Sequence, residues 1–157
     1  MTGNHHRGDI TLDAAERLAI RQEIEARAID YWYEVDIHDG LRAHEYFTAD
    51  GVFVSSVKTH SGREAIRAFY AARKARGPRT SRHVISNFRV VVADRDRAST
   101  QWVLSLYAAD GAPTLPSKPP IMLADVVEEL VREPDGVWRY KSRTIKAVFR
   151  DDTPTTG

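Results

Sequence analysis

The 157-residue chain contains no cysteine. That excludes a disulfide framework, a thiol nucleophile and a thiolate metal site, and it fits a reducing compartment. An excess of charge is lacking too: 23 Lys and Arg stand against 22 Asp and Glu, a net +1. Nothing electrostatic therefore points to nucleic acid or an anionic membrane as partner. No apolar run approaches the ~18 residues of a membrane span, and Met1 to Ile10 lacks the apolar core of a signal peptide, so the expectation is a cytoplasmic protein. Phosphate cradles are missing as well: there is no G-x-G-x-x-G, no G-x-x-x-x-G-K-[ST] and no G-x-S-x-G, and no nucleotide cofactor is implied. Small molecules and other protein chains remain as partners.

What is present reads as one domain over residues 11–150, between disordered tails at 1–10, with His5 and His6 adjacent, and 151–157. Thr11 or Asp13 can cap a first helix that runs to about His38, where Asp39-Gly40 stops it. Ile24, Ala28, Tyr31 or Trp32, and Val35 form its apolar stripe, with Asp36 one turn beyond Trp32 at its edge. A short second helix over 41–47 leads through Ala49-Asp50-Gly51 into a strand, Val52-Phe53-Val54. A third helix opens at Ser61-Gly62 and ends at Gly77-Pro78. Four long strands follow, at 82–94, 97–109, 120–133 and 137–149, separated by Asp94-Arg95-Asp96, by a longer loop from Asp110-Gly111 to Pro120, and by Pro134-Asp135-Gly136. Helices first and hairpin-connected strands after predict an α+β domain, its sheet antiparallel, or mixed at most, and curved around the helices.

Two polar residues stand in apolar surroundings: Asp36 near the end of the first helix, and His83 in Arg82-His83-Val84-Ile85-Ser86-Asn87. Brought together in an apolar cavity they would form a general base. Each also has a plainer reading, Asp36 as an exposed helix residue and His83 as a satisfied core residue. Asp125, within Met122-Leu123-Ala124-Asp125-Val126-Val127, would need a donor if buried, and is either a second pocket acid or the partner of an Arg across the sheet. Trp102, Leu104 and Leu106 alternate with Val103, Ser105 and Tyr107, so one face of that strand is apolar, and Ser105 and Tyr107 are further candidates for a pocket wall. Tyr31, Tyr33 and Asn87 could hold a developing enolate, while Trp32, Phe53, Phe69, Phe88 and Trp102 would set the pocket volume. His38, His44 and His60 lack a shared metal-ligand spacing, and no metal is expected.

The order of these elements resembles the nuclear transport factor 2-like superfamily, in particular its SnoaL-like branch. The resemblance is carried by Tyr31 to Gly40, by Tyr46-Phe47-Thr48-Ala49-Asp50-Gly51-Val52-Phe53, by Gly62-Arg63-Glu64-Ala65-Ile66, by Arg82 to Asn87 and by Asp135-Gly136-Val137-Trp138-Arg139, and it covers residues 12–149. It implies a cone-shaped, cystatin-like roll with a deep apolar pocket. Scytalone dehydratase and bile acid 7α-dehydratase, within that superfamily, use an Asp of the first helix and a His of the second strand as a catalytic pair, and Asp36 and His83 are similar in position. Tyr31 is similar to a pocket tyrosine, and Arg143, with Lys146 as rival, to a late-strand arginine. The implied activity is cofactor-free dehydration or isomerisation of a hydrophobic polycyclic or aromatic molecule by a homodimer or homotrimer. Small subunits of aromatic-ring dioxygenases share the fold without catalysing, so a non-catalytic ligand-binding or partner domain is the alternative.

Overall fold

The computed structural model describes residues 11–153. Of the expected tails at 1–10 and 151–157, residues 1–10 and 154–157 lie outside the described residues. Helix α1 spans Ala14–Ile37. Asp13 starts it with a capping box: its carboxylate accepts from the Glu16 amide at 2.8 Å and the Glu16 carboxylate accepts from the Asp13 amide at 2.9 Å. Ile20, Ile24, Ala28, Tyr31, Trp32 and Val35 are its buried stripe. It ends where Asp39 and Gly40 take φ of 60° and 71°.

Gly40 is required there. A Cβ would lie 2.4 Å from Cδ1 of Tyr70, on a backbone that side chains rarely adopt. Gly40→Ala is therefore expected to destabilise the protein by roughly 2–4 kcal/mol in urea unfolding, from left-handed strain plus overpacking. Gly77→Ala, where nothing lies within 4 Å, should show only the smaller strain, about 1 kcal/mol.

The short second helix expected over 41–47 is a single turn of 3₁₀-helix at Ala43–Tyr46. The chain then enters β1 (Phe47–Val54), earlier than its apolar run suggests, because Phe47 already pairs with Tyr140. A strand not anticipated, β2 (Thr59–Ser61), pairs antiparallel with β1. Three residues without an apolar run carry no strand signal of their own, and their hydrogen bonds to β1 make the strand. Helix α2 (Arg63–Ala75) is followed by β3 (Arg79–Val92), β4 (Arg97–Asp110), β5 (Met122–Arg132) and β6 (Trp138–Arg150).

The result is an α+β fold with one open six-stranded mixed sheet, order β2-β1-β6-β5-β4-β3. Among the described residues only β1 and β6 run parallel. Successive residues alternate between the core face, with Trp102, Leu104, Ala124 and Val126, and an outer face that leaves Val84, Val127 and Val148 exposed. Helix α1 packs chiefly against β3 on the core face, which brings its last turn to the start of that strand. Among the described residues no helix is long and apolar enough to cross a membrane.

Candidate active site

Helix periodicity puts Asp36 one position past Val35 at the rim of the buried stripe, and strand alternation turns Arg79, Ser81 and His83 toward the core. The packing of α1 on β3 then closes the gap in sequence. Asp36 Oδ1 lies 2.6 Å from His83 Nδ1 and accepts from the Ser81 hydroxyl at 2.7 Å, while Oδ2 accepts from the His83 amide at 2.8 Å. Both side chains of the pair are 7% exposed. The Trp32 ring stacks on the imidazole at 4.1 Å and 15°.

Burial alone would push the Asp36 carboxyl up, but the bonds from His83 and Ser81 outweigh it and hold the group below the ordinary Asp range. Burial pushes His83 down; Asp36 opposes this, while the Arg73 and Arg79 guanidiniums add to it. The neutral imidazole beside an ionised carboxylate is thus the resting state near pH 7. An ionised carboxylate only accepts, so Nδ1 carries the hydrogen and Nε2 keeps its lone pair. Ser81 is a participant that sequence reasoning missed. The available signal was its place two residues before His83, on the same strand face.

A second buried polar group lies deeper. Glu128 and Arg143 are both 0% exposed, with Glu128 Oε1 accepting from Arg143 Nε at 2.5 Å and its other oxygen accepting from the Thr100 hydroxyl. The guanidinium carbon sits 3.9 Å from the Tyr31 ring centre and 4.0 Å from that of Tyr140. Burial would lower the Arg143 pKa, but the Glu128 carboxylate more than offsets it, and the group is held above its ordinary value. Tyr31 donates to or accepts from the Tyr70 hydroxyl at 2.6 Å. Between the rivals in β6, Arg143 faces the core and Lys146 faces out.

Several expected pocket residues need correction. Asp125 is exposed, because Ala124 and Val126 take the inward positions; the buried acid of β5 is Glu128. Tyr33 is 60% exposed, a third of a turn off the buried stripe. Asn87, at φ 53°, occupies a bulge where Ser86 pairs with Val103 and Arg89 with Gln101, and its side chain is exposed. Tyr107 and Ser105 lie on the other side of β4 from Leu106, so Tyr107 borders a pocket, but at the outer face. Trp32, Phe53 and Trp102, expected at a pocket wall, are buried, and Phe69 is half-buried. Among the described residues no three His, Asp or Glu side chains converge as metal ligands.

Several cavities lie around this core among the described residues. Ser81 borders one of about 210 Å³, walled by Tyr107 and the loop from Leu115 to Pro119. Leu106, the cross-strand partner of His83, borders a notch of about 50 Å³ with Arg79, Met122 and Arg150. A chamber of about 590 Å³ lies between the β1–β2 turn and α2, lined by Ala65, Ala68, Phe69, Ala72 and His60. His60 packs 4.5 Å from Phe69, its Nε2 is buried without a hydrogen bond, and burial, with Lys58 nearby, lowers its pKa.

A family model described as a SnoaL-like domain matches residues 16–144. No curated protein matches the sequence significantly. Solved structures do: a protein provisionally assigned as a scytalone dehydratase from Novosphingobium aromaticivorans superposes with TM-score 0.77 at 19% identity, covering 91% of this chain and 93% of its own. A protein from the same organism, provisionally assigned as an aromatic ring hydroxylase, gives 0.69 at 20% identity, covering 84% and 91%. A cystatin-like-fold protein of unknown function from Nostoc punctiforme gives 0.69 at 21%, covering 92% and 98%. At these identities the likeness is one of fold.

Proposed function

The chain belongs to the SnoaL-like domain family, and on that premise we propose that it is a cofactor-independent dehydratase- or isomerase-type enzyme. Its substrate class is hydrophobic polycyclic or aromatic carbonyl compounds. The observation that carries this reading is the buried Asp36–His83 contact at 2.6 Å, with the carboxylate fixed by two further donors. His83 Nε2 removes a proton from the carbon next to the carbonyl, and Asp36 steadies the imidazolium that forms. In dehydration the imidazolium returns that proton to a departing β-hydroxyl, which leaves as water with the C–O electron pair. In isomerisation it returns it to another carbon of the conjugated system.

One observation favours a second, non-catalytic reading: Asp36 also clasps the His83 backbone amide, as a carboxylate would if its work were to pin β3 to α1. Proton abstraction separates the two. Deuterium uptake at the α-carbon of 2-tetralone in D₂O, followed by NMR, is expected to be accelerated by the protein. The rate should fall on the acid side with an apparent pKa below the ~6.5 of an ordinary His, because the base must be neutral and burial favours its neutral form. No acceleration with 2-tetralone or a panel of bicyclic and tricyclic aromatic ketones would overturn the catalytic reading.

A further inference from the structure

The chamber of about 590 Å³ between the β1–β2 turn and α2 contains neither Asp36 nor His83. Its volume is that of a small-molecule site, ~300–1,000 Å³. Along α2, Ala65, Ala68 and Ala72 recur at helical spacing and lay down a smooth wall about 10 Å long, at ~1.5 Å per residue. The facing turn is tied within itself: the Lys58 amide donates to the Ser55 hydroxyl at 3.0 Å, and that hydroxyl donates to the Lys58 carbonyl at 2.9 Å. Both walls are therefore preformed. Val57, 74% exposed on the turn, and Ala68 and Ala72, also exposed, leave an apolar lining open to solvent.

One buried polar side chain lines this space without a partner. His60 is 8% exposed, packs against Phe53 and Phe69, and makes no hydrogen bond through its enclosed Nε2. Burial and the Lys58 cation hold it below the ordinary His value, so the ring is neutral near pH 7 and carries one N–H. The charge around it is one-sided. No residue lining the chamber is acidic, in a chain with 22 acids against 23 bases, while Lys58 and Arg76 border it. Lys58 enters no ion pair among the described residues.

We propose that this chamber is a second ligand site, separate from the Asp36–His83 pair, and that it holds a medium-chain aliphatic carboxylate. The chain lies along the alanines and the head group meets Lys58 and the Nδ1–H of His60. The alanine wall has the length of an extended octanoyl chain. Its one ring, Phe69, is already packed against Phe53, His60 and Tyr70, so the lining suits methylenes better than a stacked aromatic. Nothing in this assignment depends on His83 acting as a base.

Calorimetric titration of the full chain with octanoate, octanamide and hexanoate tests it. Octanoate should bind roughly tenfold more tightly than octanamide, the worth of a charge-assisted hydrogen bond. It should also bind roughly tenfold more tightly than hexanoate, from two further buried methylenes. Ala68→Glu, which sets a carboxylate on the exposed wall, should abolish octanoate binding. Lys58→Met combined with His60→Phe, checked for native circular dichroism, should erase the preference for acid over amide. His83→Ala should bind octanoate as the wild type does, so that a failed base leaves this site standing and a failed site leaves the base untouched. No binding of octanoate, equal binding of octanamide, unchanged binding by Ala68→Glu, or loss of binding in folded His83→Ala would overturn the assignment. If the double variant does not fold, the exposed Lys58→Met alone should lower the preference about two- to fivefold, and an unchanged preference would count against it.

Discussion

His83→Ala should lower the rate of α-proton exchange by roughly 10²- to 10⁴-fold, the usual contribution of a positioned base, while leaving the fold in place. The reason lies in how Asp36 is held. Of its three donors, the Ser81 hydroxyl and the backbone amide of residue 83 survive the substitution, so the carboxylate keeps two partners and the α1–β3 junction keeps its hydrogen bonds. Asp36→Asn should be nearly as damaging to turnover for another reason. An amide offers one accepting atom where three donors converge, and its NH₂ drives the imidazole to the tautomer with hydrogen on Nε2, where no lone pair remains for the substrate. Circular dichroism together with exchange kinetics checks both. A His83→Ala variant that exchanges as fast as the wild type would remove the base from consideration.

The largest stability effect is expected at Glu128. Glu128→Leu strands the Arg143 guanidinium, 0% exposed, without its counter-charge, and should cost about 3–5 kcal/mol in urea denaturation. Glu128→Leu combined with Arg143→Met removes both charges and should recover most of that loss, because similar-sized apolar side chains need no desolvation repaid by pairing. Additive losses would mean that the two residues act separately. The rings of Tyr31 and Tyr140 around the guanidinium argue for methionine at 143, whose flexible thioether suits contact with aromatic surfaces.

The parts of this architecture legible in the sequence are those with a strong local period. The stripe from Ile24 to Val35, the cap candidates Thr11 and Asp13 and the stop at Asp39-Gly40 defined α1, and turn residues separated the last four strands. The pairing of Asp36 with His83 came from resemblance, since no local rule brings a helix end to a particular strand. The buried acid was misplaced for a physical reason. From Met122 to Val127 the chain is apolar at nearly every position, so alternation does not say whether odd or even residues face in. That phase is set by partners, Val126 lying opposite Trp102 on one side and Ile145 on the other, and it turns Glu128 inward and Asp125 outward. Tyr33 and Asn87 failed likewise on orientation, one by a step around the helix and the other by one extra residue in a bulge.

The parallel seam between β1 and β6 also bears on how the chain is made. Phe53 sits opposite Arg143, so the early strand β1 has no neighbour on that side until the last strand arrives. Contacts between segments so far apart in sequence are slow to close. A ribosome-bound chain synthesised through β5 would hold α1 and the hairpin of β3 and β4 but still show β1 as an open edge, inviting chaperones or a second nascent copy until β6 emerges and fills the gap.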